Sequence, residues 1–430
     1  MTLPSESVAP ITETTFVATA SGEVDPPAPV KGVRRLLWWI LPANFAIFAI
    51  WGSIPGLLLP QQVTVALGAS DKVANMLVIS TIGAFAAMIA QPIAGQVSDR
   101  TRSRFGRRAP WIILGALAGA LSLVGLAFAN SLVGFVTAWT LVQITYNFAQ
   151  GPLSAVMPDR VPIARRGTFA TLSGIGLMVG AVGGSVVGAA FFHSIAVGYI
   201  FFAVFAVVVL TLFVVFNPDH PSTNFAREPF GFTEFLRTFW VNPVTHPDFF
   251  WAFTGRLLLY TGYFGVIGYQ LFILTDYLHV TSPETVIPLL SLISLAGVII
   301  ATAVSGPLSD KVGRRKPFVF GSSVVMGLAL LLPWISPTLT SWMIMTFVMG
   351  LGFGMFQAVD TALMSQVLPS AKSFGKDLGV VNIAATLPQT LAPAVGGAIV
   401  LSLGYAGLFP VGIVLSILGA VCVWFIKATR

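Results

Sequence analysis

Gly95-Gln-Val-Ser-Asp99-Arg-Thr-Arg-Ser-Arg-Phe-Gly106-Arg-Arg-Ala-Pro110 is a short loop set between two long apolar stretches. Arg100, Arg102, Arg104, Arg107 and Arg108 crowd into it. A looser copy reads Gly306-Pro-Leu-Ser-Asp310-Lys-Val-Gly313-Arg314-Arg315-Lys-Pro317. Both run Gly-x-x-Ser-Asp, then basic residues, then Gly-Arg-Arg-x-Pro. One shift along the chain carries Asp99 onto Asp310 and Pro158 onto Pro369. The chain therefore reads as two related halves, each turning at the same face of a membrane.

The flanking stretches set the class. Of 430 residues, 56% are hydrophobic and 9% charged, and mean hydropathy is +0.87. Soluble domains carry roughly 25% charged residues, so this is no soluble core. A hydrocarbon span needs about 20 apolar residues. Such stretches lie near 36–59, 74–97, 110–129, 131–153, 168–190, 194–216, 249–278, 286–309, 317–336, 340–366, 378–400 and 404–427. They are continuous rather than alternating, which favours helices over the strands of a barrel. The expected fold is an all-α membrane protein of twelve transmembrane helices in two pseudo-symmetric six-helix halves.

Lys and Arg favour the cytoplasmic side of short loops. With the N-terminus inside, Lys31, Arg34, Arg35, both arginine-rich loops, Arg160, Arg165, Arg166, Arg227, Arg237, Lys372, Lys376, Lys427 and Arg430 all fall inside. Only Lys72 falls outside, and only Arg256 within a span. The expectation is a multi-pass protein of the cytoplasmic (inner) membrane with both termini cytoplasmic. The net charge of +7 is then a topology signal, with lipid headgroups rather than nucleic acid as the contact. Residues 1–35 read as a disordered tail without a signal peptide, 36–216 as the first half and 249–430 as the second. The linker, 217–248, places Phe232, Phe235, Leu236, Phe239 and Trp240 at helical spacing. That stripe suits a helix on the inner membrane surface or one packed on the bundle ends. Cys422, the only cysteine, rules out a disulfide within the chain.

The two-halved layout and the paired loops resemble the major facilitator superfamily over nearly the whole chain from residue 36. Gly95–Pro110 with Trp111, and Gly375-Lys-Asp-Leu-Gly-Val-Val-Asn-Ile-Ala with the later Leu387-Pro-Gln389, look most like its sucrose–proton symporter and glycoside–pentoside–hexuronide symporter branches. The resemblance implies a cytoplasmic latch made of Gly95, Asp99, Arg100, Gly106, Arg107 and Arg108, and of Gly306, Asp310, Gly313, Arg314 and Arg315. Its glycines would admit a helix of the other half, and its aspartates would sit near that helix's N-terminal dipole and a loop arginine. Asp99 would face the start of the eleventh span near Asp377, and Asp310 the start of the fifth near Thr168. The first copy has extra residues between Asp99 and Gly106, so which arginine pairs with Asp99 stays open. A loop that only anchors topology is the plainer reading.

Ionisable groups at membrane depth are costly. Arg256 and Asp360 lie at matched depth from the cytoplasmic end, roughly 10–12 Å in, on two spans that the resemblance places around a central cavity. A coupling or gating pair and a static salt bridge are both open for them. On the first, fourth, seventh and tenth spans, which the resemblance places around that cavity, Asn44, Gln143, Tyr146, Asn147, Gln150, Tyr260, Tyr263, Tyr269, Gln270 and Gln357 are candidate substrate-binding residues. Uncharged donors beside aromatic faces suit a neutral polyhydroxyl ligand, while interhelical polar contact is the plainer alternative. Asp276, with His279, reads as a wetted rim at the outer end of the seventh span. The glycines of the fifth and tenth spans read as close packing or as hinges.

No Gly-x-x-x-x-Gly-Lys-Ser/Thr loop offers ATP-driven pumping, and no His/Cys cluster suggests a metal. No cofactor and no enzyme activity are expected. The first and second spans hold no acid at depth, which speaks against a sodium site of the glycoside-branch kind. The reading is a monomeric secondary transporter of a small solute, favouring a sugar or glycoside taken up with protons by alternating access. The rivals are a proton-coupled exporter of drug-like or other hydrophobic compounds and a non-transporting receptor on the same fold.

Overall fold

Among the described residues of a computed structural model, twelve helical rods follow one another along the chain. The structure describes residues 17–18, 24–25, 30–223, 245–367 and 374–427, without the side chains of 17–18, 24–25, 30–31, 310, 361–362, 365–367, 374–386 and 390. The first rod, α1, joins Val30–Ser53, a π-helical turn Ile54–Leu58 and Leu59–Leu67. Then come α2 (Lys72–Arg100), α3 (Ala109–Ala127), α4 (Leu132–Arg160), α5 (Ile163–Ala190) and α6 (Ile195–Phe216). The seventh, α7, joins Pro247–Ile267, Gln270–Phe272 and a second π-turn, Ile273–Tyr277, with a 46° bend at the break. The rest are α8 (Pro283–Val312), α9 (Lys316–Ala329 with Leu331–Ile335), α10 (Leu339–Val367), α11 (Phe374–Leu403) and α12 (Leu408–Trp424).

Among the described residues ten helices are long and apolar enough to cross a membrane, eleven when the arms of α7 count as one span. In α11 the described apolar part is Leu387–Leu403. The count of twelve is consistent with this without being fully visible in it. The helix breaks follow local chemistry. Proline sits in the first turn of α3, α7, α8 and α9, where its missing N–H costs nothing. Gly313 ends α8 in the left-handed conformation at φ 65°, which a Cβ would disfavour.

The stretch read as a tail carries ordered elements. The first helix starts at Val30, inside the stretch read as a tail. Earlier still, Val17–Ala18 and Val24–Asp25 pair antiparallel. The amphipathic stretch from Phe232 to Trp240 lies outside the described residues.

The two halves repeat one packing scheme. α2 lies on α4 as α8 lies on α10, α3 on α4 and α6 as α9 on α10 and α12. Between halves, α2 meets α11 and α5 meets α8. Small residues make these approaches close, as lipid demands. Gly176, Gly180, Gly184 and Gly188 of α5 rest, one per turn, on Leu41, Phe45, Ala49 and Ser53 of α1. Gly350 and Gly354 of α10 lie on Ser294 and Val298 of α8, and Gly352 on Met326 of α9. Gly255 and Gly262 of α7 meet Gly419 and Gly412 of α12. These glycines of the fifth and tenth spans are thus close-packing positions, while Gly174 meets nothing within 4 Å among the described residues. With α8 and α9 on its other sides, α10 turns its Phe353–Phe356–Gln357–Asp360 face to α7.

Candidate functional site

Arg256 and Asp360 meet. Arg256 Nε lies 3.3 Å from Asp360 Oδ2, with the side chains 7% and 3% exposed. Geometry explains the meeting. Residues 256, 260 and 263 recur at helical spacing on α7, as 353, 356, 357 and 360 do on α10, so each set forms one face. One turn beyond the pair, the Tyr260 hydroxyl donates to Gln357 Oε1 at 2.9 Å. Tyr260 packs on Phe356 and Phe353, with ring centroids 5.4 and 5.8 Å away. A further turn on, Tyr263 stacks on Phe353 at 4.9 Å and 17°. The Arg256 guanidinium also lies 5.5 Å from the centre of the Tyr260 ring, within cation–π reach.

The ion pair is incomplete as a hydrogen-bonded structure. Arg256 Nε and Nη1 and Asp360 Oδ2 are buried and have no hydrogen-bond partner among the described residues. Buried charges are ordinarily paired and hydrogen-bonded together, because desolvation is otherwise uncompensated. The site therefore keeps donor and acceptor capacity in reserve, beside an exposed Gln357 and an aromatic wall.

The remaining polar candidates divide. Asn44 donates to the Ile40 carbonyl at 3.0 Å and to Ser173 Oγ at 3.5 Å, across the α1–α5 contact. Tyr146 is fully buried against Gly119 of α3 and the Trp51 ring, with its hydroxyl unpartnered among the described residues. It belongs to the apolar face Trp139–Val142–Tyr146–Ala149–Leu153. Gln150 accepts from Trp51 Nε1 at 3.1 Å, and Asn147 donates to the Gln143 carbonyl at 2.7 Å. Tyr269 donates to the Pro393 carbonyl of α11 at 2.8 Å. Gln143 and Gln270 are half-buried. In this conformation Asn44, Tyr146 and Tyr269 serve contacts between helices. Tyr260, Tyr263 and Gln357 gather around the ion pair.

The arginine-rich loop resolves the partner of Asp99. Arg108 pairs with Asp99 Oδ1 and, at 2.7 Å, with Asp159 Oδ2; Arg107 also pairs with Asp159 at 2.7 Å. Arg108 donates to Ser98 as well, and its backbone N–H donates to Asp219 Oδ2 at 3.1 Å. Burial alone would lower the Arg108 pKa, but Asp159 and Asp99 outweigh it and hold it above the ordinary guanidinium value. While both carboxylates are ionised, its contribution to folding fades only as pH rises through that already high value. Gly106 turns at φ 86° directly against Asp219.

Asp159 and Asp219 escaped the sequence reading. Their signal was position: Pro158-Asp159-Arg160 and Asn217-Pro218-Asp219 end helices at the same face as the loop. Among the described residues no atom lies within 4 Å of a Cβ placed on Gly95 or Gly306, and Asp99 pairs within its own half. The expected facing of Asp99 with the start of the eleventh span, and of Asp310 with the start of the fifth, involves the side chains of Asp377 and Asp310, which lie outside those described.

A two-halved bundle of this build, with one ion pair between two of its central rods at membrane depth, defines a polytopic membrane transporter fold. The chain belongs to the Major Facilitator Superfamily, whose family model matches residues 40–300 and 267–430. Over 131 residues it is 30% identical to the sucrose transport protein SUC4 of Arabidopsis thaliana, covering 25% of this chain and 26% of that one. Over 157 residues it is 29% identical to the lactose permease of Leuconostoc lactis, covering 33% and 22%. The matched stretches thus span about a quarter of these relatives' length. Among solved structures, a bacterial homologue of the human lysosomal transporter Spinster aligns with a TM-score of 0.70 at 16% identity, covering 94% of this chain and 98% of that one. The nucleoside transporter NupG aligns at 0.68 and 16%, covering 90% and 98%. At these identities the likeness is one of fold.

Proposed function

We propose that this protein moves a sugar or glycoside across the cytoplasmic membrane by alternating access, in symport with protons, its arginine-rich loops facing the cytoplasm. The observation that carries the reading is the buried Arg256–Asp360 contact with unspent hydrogen-bonding capacity. Beside it stand Tyr260, Gln357, Tyr263 and Phe353. Uncharged hydrogen-bonding groups next to aromatic faces match the edge and face of a pyranose ring. The relatives named for sucrose and lactose transport point the same way. A carboxylate beside Arg⁺ normally stays ionised, so proton entry at Asp360 requires the pair to separate. Solute binding to the freed guanidinium edge would supply that separation and tie the two events together.

The test is twofold. Purified protein is heated with a panel of mono- and disaccharides and, separately, with lipophilic cations. Stabilisation by a sugar supports the reading; stabilisation by the cations alone transfers it to an exporter of hydrophobic compounds. Proteoliposomes holding Asp360→Asn are then given a proton gradient. Loss of gradient-driven accumulation with exchange of solute retained is expected. Accumulation at the native level would remove Asp360 from coupling.

A further inference from the structure

We infer that Lys72, Asp276 and Tyr405 form a second latch, one that joins the two halves at the end opposite the arginine-rich loops and must open for that end to admit solute. The inference rests on the transport reading above. Lys72 begins α2 in the first half, and Asp276 lies in the π-turn of α7 in the second. Lys72 Nζ donates to Asp276 Oδ1 at 2.7 Å, with the side chains 12% and 31% exposed. The Tyr405 hydroxyl, just before α12, donates to Asp276 Oδ2 at 2.6 Å. Thr275 Oγ1 donates to Oδ1 at 2.9 Å. Both oxygens of one carboxylate are thus engaged, by donors from both halves. Lys72 Nζ also sits 5.0 Å from the centre of the Phe272 ring in the second half.

Two further facts assign these residues to closure rather than to local stability. A cation in the first turn of a helix opposes the helix dipole, so α2 gains nothing from Lys72 on its own account. The surrounding contacts are also between halves. Gln270–Phe272 of α7 packs on the π-turn and the Leu59–Leu67 arm of α1. Below the ion pair, Leu77 of α2 lies against Gly397 of α11. The halves are therefore in contact at this end. π-turns are frequent where helices carry function. Here one stands in each of the related rods α1 and α7, at the end that closes.

The test reads opening directly, without a solute. In a Cys422→Ser background, which removes the only native cysteine, Leu77→Cys is labelled in proteoliposomes with a membrane-impermeant maleimide. Lys72→Met or Asp276→Asn should raise the labelling rate about threefold or more, the population shift expected from losing a partly exposed pair. Tyr405→Phe should raise it less. The reversed pair Lys72→Asp with Asp276→Lys should return towards the native rate. Unchanged labelling in both single variants overturns the latch, as does a reversed pair that labels as fast as the singles. Sugar flux, measured separately, bears only on the transport reading: a coupled latch without flux leaves the latch standing.

Discussion

Replacing Asp360 alone, Arg256 alone and both together separates a working ion pair from a brace. At 3.3 Å and an effective dielectric constant of 20, the Coulomb attraction is about 5 kcal/mol. Desolvating the two ions costs several kcal/mol each. The attraction is spent on that cost, and the unpartnered Nε, Nη1 and Oδ2 atoms leave little surplus. Asp360→Leu strands a buried guanidinium and should destabilise by about 3–5 kcal/mol, and Arg256→Met should cost a similar amount. The double variant removes both charges and fills the space with apolar volume, so its stability should lie within about 1 kcal/mol of native or above it. Its uptake should nevertheless be abolished, because the proposed proton acceptor and its counter-charge are both gone. Melting in detergent reports stability, and gradient-driven uptake in proteoliposomes reports function. A double variant that transports at the native rate refutes the coupling role and leaves a structural pair. A double variant as unstable as the worse single variant refutes the energetic argument, since the charges would then not be what the singles disturb.

Other positions give sharper yes-or-no outcomes. Gly184→Val drives a side chain into the Ala49 backbone and should cost about 1–3 kcal/mol or more. Gly174→Ala on the same helix meets nothing and should hold or gain up to about 1 kcal/mol; equal melting shifts would refute the α1–α5 ladder. Gly313→Ala, at φ 65°, should lose about 1–2 kcal/mol, whereas Gly306→Ala in open space should melt as native. Arg108→Lys keeps the charge but cannot reach Asp99, Asp159 and Ser98 together. A loss of about 1.5–3 kcal/mol is expected, and a native melting curve would show that charge alone suffices.

Much of this was legible because lipid leaves few choices. Continuous apolar runs had to be helices, and the paired arginine loops had to turn at one face. Arg256 and Asp360 could be matched because charges at depth are rare and must find each other. The polar residues of α4 were less legible. Tyr146 carries a hydroxyl, yet its spacing puts it on the face of Trp139, Val142 and Ala149, so the ring is packed inward whatever the hydroxyl prefers. Pairings across long sequence distance were not legible at all. Lys72 and Asp276 each stood out as an exception, a lone outer base and a rim acid, but nothing local joins two residues so far apart. Asp159 and Asp219 were hidden for the same reason.

The two charge clusters differ in the way the proposed alternating access would require. Arg108 ties α2, α4 and the segment after α6 within one half. Arg108 is 6% exposed, Asp159 16% and Asp99 50%, and the contacts are forked, so breaking them strands the buried guanidinium. That network would keep the half rigid under the proposed motion. Lys72–Asp276 crosses between halves, is 12% and 31% exposed, and gives each partner a route back to water when it opens. Partly exposed pairs contribute about 1 kcal/mol or less, enough to bias an equilibrium between two states without locking it. The distinction lies in connectivity: the Arg108 contacts stay within one half, whereas Lys72–Asp276 crosses between halves.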